Sequence, residues 1–260
     1  MTMIKCCGLR RSEDVAMVNA AGANFAGFIM SSGFWRYVEP EKVAELKKLL
    51  KPGIMAVGVF VNEPVEYVAK QLRDGTIDIA QLHGTEDDDY IAELRKSAAI
   101  GDVSDSMTAK YSCKAASLNE SPRMPEESLD KNCSDKNQGQ NKNRSKRIVK
   151  GDIIKAFKIK SAEDIKRAVA SSADYILLDS GTGTGQTFDW TLMSEIERPY
   201  FFAGGLTPEN AAGAVKRFHP YAVDVSSGIE TDKKKDMAKI AEFAINVRAA
   251  ELLPNEDENL

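Results

Sequence analysis

The chain has 260 residues, a length that fits one α/β barrel or two small domains. With 43% hydrophobic and 28% charged residues it can bury a core without disulfides or metal, and a formal net charge of −4 gives no bulk basicity for nucleic acid. No run approaches the about 20 apolar residues that span a bilayer, and the N-terminus lacks a long apolar signal core, so the sequence predicts a cytoplasmic protein without a membrane partner.

Short apolar runs that predict strands alternate with helical patterns along most of the chain. This alternation is typical of parallel strands with right-handed crossovers, and eight units predict a closed (β/α)8 TIM barrel. An open, doubly wound sheet remains the alternative. The predicted strands are 3–7, 25–29, 55–61, 79–82, 153–157, 175–179, 200–203 and 222–226. The predicted helices are 12–21, 40–50, 64–72, 87–97, 162–170, 190–196, 208–216 and 234–247, with Pro64 and Pro208 suited to first turns and Thr207 to an N-cap.

One polar segment interrupts a single barrel domain predicted for residues 1–250. Residues 101–150 contain one aromatic residue, Tyr111, and carry 10 Lys and Arg against 7 Asp and Glu. So few apolar groups predict a mobile loop on the face opposite the active site, or alternatively an element that binds a partner. Residues 251–260 are predicted to form a frayed acidic tail.

The four cysteines and two histidines show no spacing typical of a zinc site, so the sequence predicts no metal. Cys6 and Cys7 are adjacent on a predicted strand, where neighbouring side chains point to opposite faces. They are therefore not expected to form a disulfide, in agreement with a reducing compartment. The pattern assigns no role to Cys113 or Cys133.

Polar residues and glycines collect where the predicted strands end. In a barrel, these carboxyl ends and the loops after them form the active site. The candidates are Cys7, Arg36, His83, Asp179, Gly204, Gly205, Asp224, Ser226, Ser227 and Gly228.

Cys7 and Asp179 are the candidate catalytic pair. Because side chains alternate along a strand, Ile4 and Cys6 are expected to face the helices, which turns Cys7 toward the barrel axis. The same alternation turns Asp179 inward, and a thiol and a carboxyl at one mouth suit paired acid and base catalysis. Taken singly, Cys7 also fits a small buried hydrophobe and Asp179 a loop cap or an ion-pair partner.

Glycines after the last two strands indicate a phosphate site. Gly204-Gly205 and Ser227-Gly228 would expose backbone amides to an anion, and Gly183 and Gly185 would close over the same ligand. Simple turn glycines are the alternative.

Arg36, His83 and Asp224 complete the candidate site. Arg36 can hold a carboxylate in a two-pronged pair, although a solvated surface arginine fits the composition as well. His83 either lines the pocket or packs at a strand end. Asp224 accepts hydrogen bonds from a sugar or from protein groups, and the sequence does not choose between them.

Short segments over residues 1–97 and 151–247 form a combined pattern that is more specific than any one of them. They are Lys5-Cys6-Cys7-Gly8-Leu9 with Glu13-Asp14, Gly27-Phe28, Arg36-Tyr37 with Pro40, 57–62, Gln81-Leu82-His83-Gly84, 154–157, Leu177-Leu178-Asp179, 185–190, 204–210 and 223–228. In this order they resemble the phosphoribosylanthranilate isomerases of tryptophan biosynthesis. Residues 101–150 depart from the compact family pattern, and Cys6 stands where an aliphatic residue is more usual.

The resemblance implies an Amadori rearrangement of N-(5-phosphoribosyl)anthranilate to 1-(2-carboxyphenylamino)-1-deoxyribulose 5-phosphate, by proton transfer without a cofactor. Carried over to this chain, Asp179 protonates the ribose ring oxygen, and Cys7 as a thiolate removes the C2′ proton. Arg36 would hold the anthranilate carboxylate, and Gly205 with Ser227-Gly228 the phosphate. The thiolate would need stabilisation, and partial burial should raise the pKa of Asp179. A monomer and a homodimer both stay open.

Two alternatives assign the barrel a different function. Another phosphosugar barrel, such as indoleglycerol-phosphate synthase or ribulose-phosphate epimerase, would be expected to show a catalytic lysine and glutamate or metal-binding histidines at strand ends, and neither pattern is evident. A non-catalytic phosphosugar-binding barrel is disfavoured because both Cys7 and Asp179 are retained.

Overall fold

A computed structural model describes residues 1–99, 148–179 and 196–252. Eight parallel strands follow one another around a closed barrel, in which β1 pairs with both β2 and β8. The predicted TIM barrel is therefore confirmed, and the open sheet is excluded. The strands are β1 (Met3–Cys7), β2 (Phe25–Ile29), β3 (Met55–Phe60), β4 (Ile79–Leu82), β5 (Ile153–Lys158), β6 (Tyr175–Asp179), β7 (Tyr200–Ala203) and β8 (Ala222–Val225).

Helices on the outside of the barrel follow most of these strands. Those of the described residues are α1 (Ser12–Ala21), α2 (Pro40–Lys47), α3 (Val65–Arg73), α4 (Asp88–Ala99), α5 (Ala162–Ala170), α6 (Pro208–Phe218) and α7 (Met237–Leu252). The helix predicted at 190–196 lies outside the described residues except for Ile196, which is buried and non-helical. None of the described helices is long and apolar enough to cross a membrane.

Several predicted helix ends differ from the observed ones by one to five residues, most clearly in α2, α3 and α7. The helix predicted to Leu50 ends at Lys47, because the chain tightens there into turns such as the 3.0 Å bond from Leu49 N to Leu46 O. Pro64 is the N-cap of α3 instead of a first-turn residue, whereas Pro208 does open α6 behind the N-cap Thr207.

The last helix starts later than predicted. Lys234–Lys235 is a short strand, β10, paired with β9 (Glu230–Thr231). Asp236 then caps α7, accepting hydrogen bonds from the amides of Ala238 and Lys239 at 2.9 and 3.2 Å. The prediction of a helix from residue 234 missed both the hairpin and this cap.

Side chains alternate between two separate cores as the period-two argument predicts. Ile4, Cys6, Ile176 and Leu178 pack outward with the helices. The inward-facing residues fill the barrel, and its lower part holds an aromatic cluster with ring-centroid distances of 5.0 to 6.0 Å. This filled floor confines any ligand to the carboxyl ends of the strands. The cluster consists of Phe25, Tyr175, Phe201 and Tyr221.

The polar segment lies between α4 and β5, and residues 100–147 are outside the described part of the chain. Its predicted end at residue 150 is too late, because Ile148 is buried in the barrel interior and its amide donates to the Tyr221 hydroxyl at 3.3 Å. Tyr221 precedes β8, so the chain re-enters the barrel at the end opposite the candidate site.

Candidate active site

The Cys7 thiol lies inside the barrel mouth, at the carboxyl end of β1. It rests against Gly27 on the neighbouring strand, where an added Cβ would approach the Cys7 Sγ to 2.8 Å. The Lys5 ammonium lies two residues earlier on the same face, and its charge favours the Cys7 thiolate. The inward orientation predicted for Cys7 is therefore found, with a cation beside the sulfur.

Lys5 itself is fully buried and ion-paired. Its Nζ lies 2.8 Å from the Oδ2 of Asp224, which faces it across the β1–β8 pairing. Burial alone would lower the pKa of Lys5, but the charges of Asp224 and Cys7 raise it above its ordinary value. Lys5 therefore stays a cation. The other carboxylate oxygen of Asp224 has no hydrogen-bond partner among the described residues.

The environment of Cys7 acts on its ionisation in two directions. Burial is the largest influence and raises the pKa of the thiol, and the Asp224 carboxylate adds to this. The charge of Lys5 opposes both. The net effect raises the pKa of Cys7, and Lys5 makes this rise smaller than burial alone would make it.

Asp179 meets His83 across the mouth. The Oδ2 of Asp179 lies 3.6 Å from the Nε2 of His83. Both side chains are mostly buried, with 21% of Asp179 and 27% of His83 exposed. The other ring nitrogen of His83 contacts the Gln81 Nε2 at 3.1 Å. His83 thus lines the mouth beside the candidate acid, instead of packing only at its strand end.

Open space adjoins this pair. A cavity of about 610 Å³ lies at the ends of β4 and β5 and is bordered by His83, Gly84 and Lys158. The mouth therefore has room for a ligand beside His83, the neighbour of Asp179.

The glycines after β7 and β8 come together as one surface. Gly204 and Gly205 have φ values of 98° and 62°, which favour glycine. A Cβ on Gly228 would lie 1.9 Å from the Leu206 carbonyl oxygen, so the two loops touch backbone to backbone. Residues Ser227–Ile229 form a short 3-10 helix, whose first amides have no partner within the helix. The side chain of Ser226 donates to the Cys7 carbonyl at 3.2 Å, which fixes this surface next to the thiol.

Arg36 also reaches the mouth, because its side chain packs over Gly8, where an added Cβ would meet the Arg36 Cδ at 2.6 Å. Its guanidinium binds Glu230 in a two-pronged pair at 3.1 and 2.8 Å. Arg36 is thus next to the candidate base and is not a free surface arginine.

Two predicted site residues, Gly183 and Gly185, lie outside the described residues. Within residues 1–99, 148–179 and 196–252, no group of three His, Cys, Asp or Glu side chains is arranged to hold a metal ion.

Sequence reasoning did not assign Lys5 or Glu230 to the site. Lys5 could have been found, because a charged residue on the inward face of a buried strand requires a partner, and Asp224 stands on the strand that closes the barrel beside it. Glu230 had no comparable pattern, because it follows the last strand in a polar loop.

Comparisons with known proteins agree with this geometry. The family model described as N-(5'phosphoribosyl)anthranilate (PRA) isomerase matches residues 4–119 and 138–246. A relative named N-(5'-phosphoribosyl)anthranilate isomerase, from Endomicrobium trichonymphae, is 33% identical in an alignment of 247 residues that covers 93% of this chain and 96% of the relative.

Solved structures are similar over the same extent. Phosphoribosyl anthranilate isomerase from Thermotoga maritima has 29% sequence identity and a TM-score of 0.68, with 96% of this chain and 100% of that chain covered. A phosphoribosyl anthranilate isomerase in complex with reduced 1-(o-carboxyphenylamino)-1-deoxyribulose 5-phosphate has 28% identity and a TM-score of 0.67 at the same coverage.

Proposed function

Because the chain belongs to the phosphoribosylanthranilate isomerase family, we propose that Cys7 and Asp179 carry out the proton transfers of its reaction. The chain is an isomerase of tryptophan biosynthesis that acts on N-(5′-phosphoribosyl)anthranilate. The observation that carries the residue assignment is the Cys7 thiol, held inside the mouth beside a buried cation and next to the touching glycine loops.

Asp179 acts first, as the general acid. Its carboxyl group donates a proton to the ribose ring oxygen, the C1′–O bond breaks, and the nitrogen lone pair forms a Schiff base. The position of Asp179 beside His83, which borders the cavity at the ends of β4 and β5, supports this role.

Cys7 then acts as the general base. Its thiolate removes the proton from C2′, the electrons of that C–H bond move toward the Schiff base nitrogen, and an enolamine results that tautomerises to the ketone. The Lys5 ammonium supports this step, because it stabilises the thiolate in a site whose burial favours the neutral thiol.

Binding groups surround the reacting atoms. The backbone amides of Gly205, Ser227 and Gly228 hold the phosphate, with Gly204 shaping the turn. Arg36 holds the anthranilate carboxylate. Further substrate contacts come from His83 and Ser226, from the open carboxylate oxygen of Asp224, and from Gly183 and Gly185.

Turnover with phosphoribosylanthranilate tests the catalytic pair. Cys7→Ala and Asp179→Asn should each lower kcat by about 10²–10⁴-fold while substrate affinity changes little. Cys6→Ala is the matched control for the first, since Cys6 faces the helices, and Asp89→Asn on the exposed surface of α4 is the control for the second. Near-wild-type turnover in either site variant would remove that residue from the mechanism.

Three broader assignments complete the proposal. The protein works in the cytoplasm, where reduced cysteines persist. It is a monomer or a homodimer, which sedimentation analysis distinguishes. The segment between α4 and Ile148 takes no part in turnover, since Ile148, which follows it, contacts Tyr221 at the end of the barrel opposite the mouth.

A further inference from the structure

Arg36 is held on two sides before any substrate binds. Its Nε donates to Glu230 Oε1 at 3.1 Å and its Nη2 to Oε2 at 2.8 Å. The guanidinium also stacks on the Trp35 ring, 4.0 Å from the ring centroid. A group fixed along one edge and one face has little freedom to rotate.

Glu230 is in turn firmly placed. Its side chain is 8% exposed, and its Oε1 accepts a second hydrogen bond, at 2.8 Å, from the buried Lys235 Nζ. Lys235 also donates to the Ser226 carbonyl at 2.8 Å, which ties Glu230 to the loop after β8. Burial by itself raises the pKa of Glu230, but the bonds from Arg36 and Lys235 hold it below its usual range, so the carboxylate stays charged.

The geometry leaves one edge of the guanidinium open. A guanidinium offers two edges for a carboxylate: the side edge of Nε and Nη2, and the end edge of Nη1 and Nη2. Glu230 occupies the side edge. No acceptor within the described ranges binds Nη1 of Arg36, so the end edge is available.

We propose that Glu230 is a positioning residue for Arg36, which turns the end edge of the guanidinium toward the substrate and confines the substrate carboxylate to it. The inference rests on the proposed role of Arg36 as the carboxylate ligand. Glu230 holds the guanidinium in one orientation and does not compete with the substrate carboxylate for the end edge. With Arg36 and Lys235 both cationic and Glu230 anionic, the group keeps one positive charge to attract the substrate carboxylate.

The test compares two ligands in the complete protein. One is the reduced product analogue 1-(o-carboxyphenylamino)-1-deoxyribulose 5-phosphate, and the other is its counterpart without the carboxylate. Glu230→Gln should weaken inhibition by the first on the order of tenfold and leave the second within twofold, with KM raised and kcat little changed. Glu242→Gln, an exposed change on α7, is the matched control.

Arg36→Met separates the possible failures. If Arg36→Met weakens both ligands equally or neither, the proposed role of Arg36 is wrong. If Arg36→Met weakens only the carboxylate ligand and folded Glu230→Gln does not, the positioning role of Glu230 is wrong. In the double variant, Glu230→Gln should add no further loss.

A second variant covers the case in which Glu230→Gln does not fold. Glu230→Asp keeps the negative charge beside Lys235 but withdraws the carboxylate by one methylene, so the same selective loss is expected. Equal affinity for the carboxylate ligand in Glu230→Asp and in the wild type would overturn the proposal.

Discussion

Replacing Lys5 with Met removes the ammonium that binds Asp224 and favours the Cys7 thiolate inside the barrel. The single change leaves a carboxylate buried without its cation, which costs about 3–5 kcal/mol of folding free energy for a pair of this kind. Lys5→Met with Asp224→Asn removes both charges, so this double variant should recover most of that loss. The two variants together separate stability from reactivity.

The effect on the Cys7 thiol follows from the opposing charges. The Lys5 ammonium favours the thiolate, so its removal raises the pKa of Cys7 further. In the double variant the loss of Asp224, which raises the pKa of Cys7, cancels part of the rise. At a pH below the thiol pKa, kcat/KM should fall by about tenfold for each unit by which the pKa of Cys7 rises. The fall should be larger in the single variant than in the double variant.

The assay is the pH dependence of kcat/KM, together with the thiolate absorbance of each variant against its own Cys7→Ala background. The acidic limb of the profile, where the base gains its proton, should move to higher pH in both variants. Lys96→Met, an exposed change on α4, should leave the limb in place. An unmoved limb in folded Lys5→Met protein would refute a role of Lys5 in stabilising the thiolate.

The other predictions concern the outer core, the glycine loops after β7 and β8, and the polar segment. Burial raises the pKa of Cys6 from 9.0 to about 12, so above pH 9 the unfolded chain loses a proton that the folded chain keeps. Between pH 9 and 11 the wild-type free energy of unfolding should therefore fall more steeply with pH than that of Cys6→Ala, by about 1.4 kcal/mol per pH unit. Urea titrations at several pH values measure this, and an equal pH dependence in the two proteins would contradict the prediction. Gly228→Ala should raise KM at least about tenfold by forcing the loop away from Leu206, and an unchanged KM would argue against the phosphate site. A short linker in place of residues 101–147 should leave turnover nearly intact, and a large loss in a folded variant would contradict the placement of that segment.

The strands could be predicted within one residue because each is a mostly apolar run with a polar or glycine position at its end or within two residues after it. Period-two alternation then oriented Cys7 inward and Cys6 outward, since only one register buries the apolar set. Helix ends were predicted less well. The hairpin before α7 depends on Glu230 in β9 pairing with Lys235 in β10, a side-chain contact across the hairpin that no propensity encodes.

The candidate site was predictable as a set of strand ends but not as a set of contacts. The partner of Arg36 could not be inferred, because an arginine fork fits a substrate carboxylate and Glu230 equally well. The importance of Lys5 was visible in the pattern only once β1 and β8 were known to be neighbours, because the pair requires barrel closure.

The space for the Cys7 sulfur is made by a missing side chain at Gly27 on the next strand. At Gly27 even a methyl group would intrude on the Cys7 side chain and on its Cα at 3.0 Å, so the strand or the thiol would have to shift. A random-mutagenesis screen for loss of tryptophan prototrophy should accordingly return changes at Gly27 alongside those at Cys7. Such mutants would be inactive although Cys7 and Asp179 are both present, because the added side chain takes the space that the thiol occupies.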